Sequence, residues 1–134
     1  MELVQSYSIT IVALGFLAAL MLCQLLVADV VGIRLKHVPG SQVPSDHENP
    51  LFRASRVVAN TNESVAIFVL AVFFCILSEA AANTTGYAAW AFVMARFLYA
   101  VCYYSNWQLA RSVVFALSLV SLAALLANGF WQWL

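Results

Sequence analysis

The chain is 134 residues long, with 64% apolar and 9% charged side chains, and its six Lys/Arg balance six Asp/Glu. A soluble domain of this size cannot hide so much apolar surface, and soluble chains carry about 25% charge; a soluble enzyme, a disordered chain and a disulfide-rich secreted module are therefore excluded. Zero net charge leaves no basic field for nucleic acid and no polybasic run for anionic headgroups.

The charges divide the chain. From Leu3 to Ala28 there are none, which covers the roughly 20 residues that a bilayer-crossing helix needs. The first charge is Glu2 rather than a positive n-region, so this segment reads as a retained span over about 7–33 and not as a cleaved signal. A polar cytoplasmic loop over 34–49 follows, with His37, Pro39, Gly40, Pro44 and His47. Asn49 and Pro50 then form a helix start, with a capping amide before a proline at the first helical position. The second span is expected over 51–82, with a tight break at the Asn-Thr-Thr-Gly of 83–86. A third span follows over 87–104. Ser105, Asn106 and Trp107 turn the chain into a fourth, over 110–133. The expected fold is an all-α membrane protein, a single domain built as an up-down bundle of four transmembrane helices.

Arg34, Lys36, Arg53 and Arg56 flank the first connection and Arg111 the third, while the 83–86 break and both termini carry no Lys or Arg. The positive-inside rule places both termini outside and these two connections in the cytoplasm. Trp131 and Trp133 suit an outer aromatic belt.

Ionisable groups at membrane depth are expensive and face a bundle interior or a wet cavity. At about 100° per residue, Arg53, Arg56, Asn60 and Glu63 share a stripe roughly 80° wide, bordered by Ser64. Arg96, Tyr99 and Tyr103 are spaced i, i+3 and i+7, and Arg111 opens the last helix on the same membrane side. The structural explanation pairs Glu63 with Arg56 or Arg96. The acids on that side are too few to neutralise every arginine, however, and spare guanidinium groups call for an anionic ligand. Cys23, Cys75 and Cys102 form no ligand cluster and read as packing thiols. His37 and His47 read as solvated loop residues, and no metal site is expected. Asn83-Thr84-Thr85 is a glycosylation sequon, though one close to the membrane.

Two blocks carry a resemblance. "LFRASRVVANTNESVAIF" (51–68), with its R-x-x-R-x-x-x-N-x-x-E pattern, resembles the second-helix signature of the MAPEG superfamily, membrane-associated proteins in eicosanoid and glutathione metabolism. "MARFLYAVCYYSNWQLARS" (94–112) resembles the signature of its third and fourth helices. The resemblance implies a homotrimer binding glutathione, as co-substrate, between neighbouring subunits. It implies Arg111 as the catalytic residue beside the sulfur, with Ser112 as helper. Arg56, Asn60 and Glu63 would hold the tripeptide's ends and amides, Tyr99 and Tyr103 would line the site, and Arg34 would serve a carboxylate. Arg53 and Arg96 would be structural ion-pair partners.

The implied activity is a glutathione-dependent membrane transferase, with peroxidase activity a further option. It would deliver the thiolate to hydrophobic electrophiles arriving from membrane lipid. Ser64 stands where several eicosanoid-type members have tyrosine, and Ala66 where a proline is common. These departures argue against a specialised leukotriene or prostaglandin synthase and leave a generic, bacterial-type microsomal glutathione transferase-like member, for which a bacterial inner membrane is expected rather than the endoplasmic reticulum. The alternative is a non-catalytic family member that binds lipid or a partner. A small multidrug transporter would need an acid within its first span, whereas Leu3–Ala28 carries no charge.

Overall fold

A computed structural model describes residues 2–134. A short helix α1 (Glu2–Ser6) leads through Tyr7 into α2 (Ser8–Arg34), followed by α3 (Pro50–Leu77), α4 (Ala82–Tyr104) and α5 (Gln108–Phe130). A 3-10 turn at Trp131–Trp133 closes the chain. The described residues contain four helices, α2 to α5, long and apolar enough to cross a membrane. The start of α3 has the expected chemistry: Asn49 Oδ1 accepts from the Leu51 N–H at 2.9 Å, with Pro50 next in the chain, where its missing N–H costs nothing.

Three helices end in the same way. Lys36, Glu79 and Asn106 adopt left-handed φ values of 53°, 53° and 58°. Each donates its N–H to the carbonyl three residues back, at Ile33, Ile76 and Tyr103 respectively. The following N–H, of His37, Ala80 or Trp107, bonds to Gly32, Cys75 or Cys102. These bonds satisfy carbonyls that a helix end leaves open.

One of these ends corrects a boundary. The break between the second and third spans lies at 78–81, so α3 stops at Leu77 rather than Ala82. Residues 83–86 form the first turn of α4. The expectation placed the break at Asn-Thr-Thr-Gly, but here Glu79 supplies the left-handed residue and Gly86 does something else. A Cβ at Gly86 would lie 2.9 Å from Ile9 Cγ2 and 3.1 Å from Ile9 Cβ; the glycine lets α2 approach α4. Thr85 of the sequon is buried, donating to Ala81 O at 3.1 Å and accepting from Asn128 Nδ2 at 2.9 Å.

Helix α4 is the most enclosed and touches α2, α3 and α5. Of its small residues, Gly86, Ala88, Ala89, Ala95 and Ala100 are buried. Lipid competes equally well for apolar side chains, so close backbone approach and dispersion hold such bundles together. The half of the core nearer the 78–81 turn centres on Phe68 and Phe92, stacked 4.4 Å apart, with Leu17, Val72, Cys75 and Leu125. The half nearer the 34–49 loop is a separate aromatic cluster of Val57, Tyr99, Ala100 and Tyr103 with Phe115 beside it. The exposed side of α2 is aliphatic and aromatic, with Phe16, Leu22, Leu25, Leu26 and Val30 on it.

Candidate functional site

Between the two apolar clusters lies a polar layer. Arg96, fully buried on α4, donates from Nη1 to Asn60 Oδ1 at 2.5 Å and from Nη2 to Ser118 Oγ at 2.8 Å. Its guanidinium carbon lies 5.4 Å from the Phe92 ring centroid, 5.4 Å from Tyr99 and 5.3 Å from Phe115. The expectation of ion pairing is corrected here. Both hydrogen-bond partners of Arg96 are neutral, because the facing positions on α3 and α5 carry an amide and a hydroxyl while Glu63 points outward and is exposed. Arg53 likewise donates to a carbonyl, that of His47, rather than to an acid.

On the open side of this layer is a cleft of about 200 Å³ lined by Asn60, Tyr99, Arg111, Ser112 and Phe115. Four of the eight candidate residues, Asn60, Tyr99, Arg111 and Ser112, are thus brought together by α3, α4 and the first turn of α5. Tyr103 sits next to them: its ring is 5.5 Å from that of Tyr99, and the Arg111 guanidinium lies over it at 4.6 Å. Stacking a guanidinium on a phenol face holds it without consuming its N–H donors.

Arg56 and Glu63 lie one turn to either side of Asn60 on α3, both exposed, and neither lines the cleft. Arg34 is exposed at the last residue of α2, a helix packed on α3 and α4, and does not line it either.

Three contributors were not anticipated. Phe115 is one turn on from Arg111, so helical spacing alone could have placed it on the wall. Ser118 reaches Arg96 from the next turn. His47 is half-buried rather than solvated, with its ring 5.1 Å from Phe52 and 6.0 Å from Tyr103. The loop folds back over the end of α4, and Asn106 Nδ2 donates to Glu48 Oε1 at 3.0 Å. No sequence periodicity signals a loop's return path.

Chemically the cleft wall is rich in donors. A guanidinium has no acceptor, so the Asn60 atom facing Arg96 must be the carbonyl oxygen, which leaves the amide hydrogens for the cleft. With the guanidinium of Arg111 and the hydroxyl of Tyr99, this surface suits an anion, while the Ser112 hydroxyl donates to Gln108 O at 3.2 Å. Among the described residues, no group of three or more His, Cys, Asp or Glu is placed to hold a metal ion.

The family model described as "MAPEG family" matches residues 9–131. No match was found among the curated proteins or among the solved structures.

Proposed function

The chain belongs to the MAPEG family, and from that premise we propose that it is a glutathione-dependent membrane transferase. The observation that carries the reading is the cleft that Ser112 lines together with the donors of Asn60, Tyr99 and Arg111, set among membrane-spanning helices. Glutathione brings two carboxylates, an ammonium and a thiol. In this reading Arg56 and Arg34 take carboxylates through two-point contacts and Glu63 takes the ammonium. Asn60 donates to the peptide, and Tyr99 and Tyr103 wall the site. Arg111, helped by Ser112, stands beside the sulfur.

A thiol has a reference pKa near 8.5 and reacts as its thiolate. A guanidinium within hydrogen-bond reach favours the anion, and each pKa unit of lowering corresponds to about 1.4 kcal/mol. The thiolate then attacks an apolar electrophile arriving from the bilayer. A carbon–sulfur bond forms and the leaving group departs with the displaced electron pair. Peroxidase activity toward lipid hydroperoxides would use the same thiolate.

The single-chain cleft, about 200 Å³ and open on one side, falls short of the 300–1,000 Å³ typical of small-molecule pockets. It is half a site, with Arg56 and Glu63 waiting on the rim. A homotrimer completes it when Arg34 of a neighbouring copy closes the open side. In this reading the site lies near the cytoplasmic face and both termini outside, a reading supported by the positive-inside rule, with a bacterial inner membrane as the host.

The test is thiolate absorbance on adding millimolar glutathione to the detergent-purified protein. Wild type gains the thiolate band, Arg111→Ala loses it while still binding glutathione, and Arg56→Ala binds about tenfold or more weakly, as losing a charge-assisted contact requires. No binding by wild type sinks the transferase. Binding without a thiolate band favours a non-catalytic member that uses the cleft for lipid or a partner.

A further inference from the structure

Arg96 is a cation enclosed by the bundle, and burying such a charge costs several kcal/mol unless the geometry around it is very good. Its Nε is buried without a partner, and both hydrogen bonds go to neutral oxygens. A purely structural cation would be expected to face a carboxylate. Arg96 instead touches three of the five residues lining the cleft: it is bonded to Asn60 and lies over the faces of Tyr99 and Phe115.

We infer that Arg96 is a positioning residue: by holding Asn60 Oδ1 from behind, it forces the Asn60 amide hydrogens into the cleft and makes that wall selective for an anionic ligand. An amide free to turn about its last torsion presents oxygen or nitrogen with similar ease, and the two outcomes are opposite for an anion. A guanidinium can only donate, so the choice is removed before a ligand arrives. Ser118 completes the device. Its hydroxyl accepts from Arg96 Nη2 and donates to Phe115 O at 2.6 Å, which fixes the second arm of the fork. The unpaired positive charge beneath the wall acts in the same direction as the amide, in a medium that screens poorly.

The probe is glutathione, so this inference rests on the function proposed above, and two measurements keep the two separable. The first is glutathione affinity by calorimetry alongside thermal unfolding in detergent. Asn60→Asp keeps an oxygen for Arg96 and turns the cleft-facing atom into an anionic acceptor. Its melting temperature should equal or exceed that of wild type, while its glutathione Kd rises at least tenfold. Arg96→Met frees the amide, with a similar rise in Kd. An Asn60→Asp protein that binds as wild type does overturns the inference, since a purely structural Arg96–Asn60 bond predicts that result.

The second measurement needs no ligand. The side-chain amide 15N–1H pair of Asn60, identified as the signals missing in Asn60→Asp, should be sharp and dispersed in wild type and should collapse in Arg96→Met. If wild type binds no glutathione, the transferase reading fails while the amide signals still decide the orientation. Asn60 signals identical in wild type and Arg96→Met overturn it.

Discussion

Arg96 and Arg111 meet the cost of a guanidinium at membrane depth in two ways. Arg96 is fully enclosed, with neutral oxygens and ring faces around it, whereas Arg111 is half-buried and lies on Tyr103 with its donors toward the cleft. The chain spacing announced both as polar residues on buried faces, but it could not separate the enclosed guanidinium from the one that lines the cleft. Tyr7 is a simpler case. Its phenol is buried and donates to the Ala80 carbonyl and, at 3.3 Å, to that of Cys75, tying the start of α2 to the 78–81 turn. Removing the hydroxyl in Tyr7→Phe should cost about 1–2 kcal/mol, because the Ala80 oxygen is left without its donor. Burial pushes the Tyr7 phenol up, with Cys75 and Glu79 adding to the shift. The folded state therefore prefers the neutral phenol. Its stabilising effect is intact below the ordinary tyrosine pKa of about 10 and is lost as pH rises through the higher folded value. Thermal scans from pH 8 to 11 should show a loss of stability in alkali that is smaller in Tyr7→Phe.

At the scale of elements, composition announced the helices and packing decided where they end. The Asn49-Pro50 start was readable because its chemistry is local. The end of α3 was not, because a left-handed glutamate at 79 does the work expected of glycine. Gly86 meanwhile serves a contact 77 positions away in the chain, at Ile9. Substituting it tests that assignment. Gly86→Leu should separate α2 from α4 and lower stability by roughly 2–3 kcal/mol, as overpacking does. The double variant Ile9→Ala/Gly86→Leu should recover a substantial part of this, because it removes the Ile9 methyls that the new side chain meets. If Gly86 served only as a turn residue, the Ile9 change would give no rescue, and melting temperatures in detergent distinguish the two.

At the scale of the molecule, one chain presents an open cleft and an extensive apolar exterior. Arg56 and Glu63 are exposed beside the cleft, and Arg34 sits on a helix that does not wall it. If Arg34 serves the cleft of the next subunit in a ring, a trimer offers a direct test. Arg34→Ala and Arg111→Ala chains, each impaired alone, should complement one another when co-expressed. A site works when an intact cleft meets an intact Arg34, so random mixing restores about a quarter of the sites in a closed heterologous ring. Glutathione conjugation by the purified mixed protein measures the fraction. Absence of recovery in confirmed mixed trimers would mean that Arg34 does not act across the interface.

By itself the sequence determined the solvent, the four helices, the end of the bundle carrying most of the basic residues, and the family's two signature blocks. Each of these depends on composition or on spacing within one helix, where period and rise are constant. Only the tertiary structure decided which of the polar residues meet. It placed Asn60, Tyr99, Arg111 and Ser112 around one cleft, left Arg34, Arg56 and Glu63 outside it, and turned Arg96 inward onto an amide and a hydroxyl. Helical spacing gives the face on which a side chain lies. The partner it finds there depends on the rotation and register of another helix, and close contacts such as those of Gly86 and Arg96 set both.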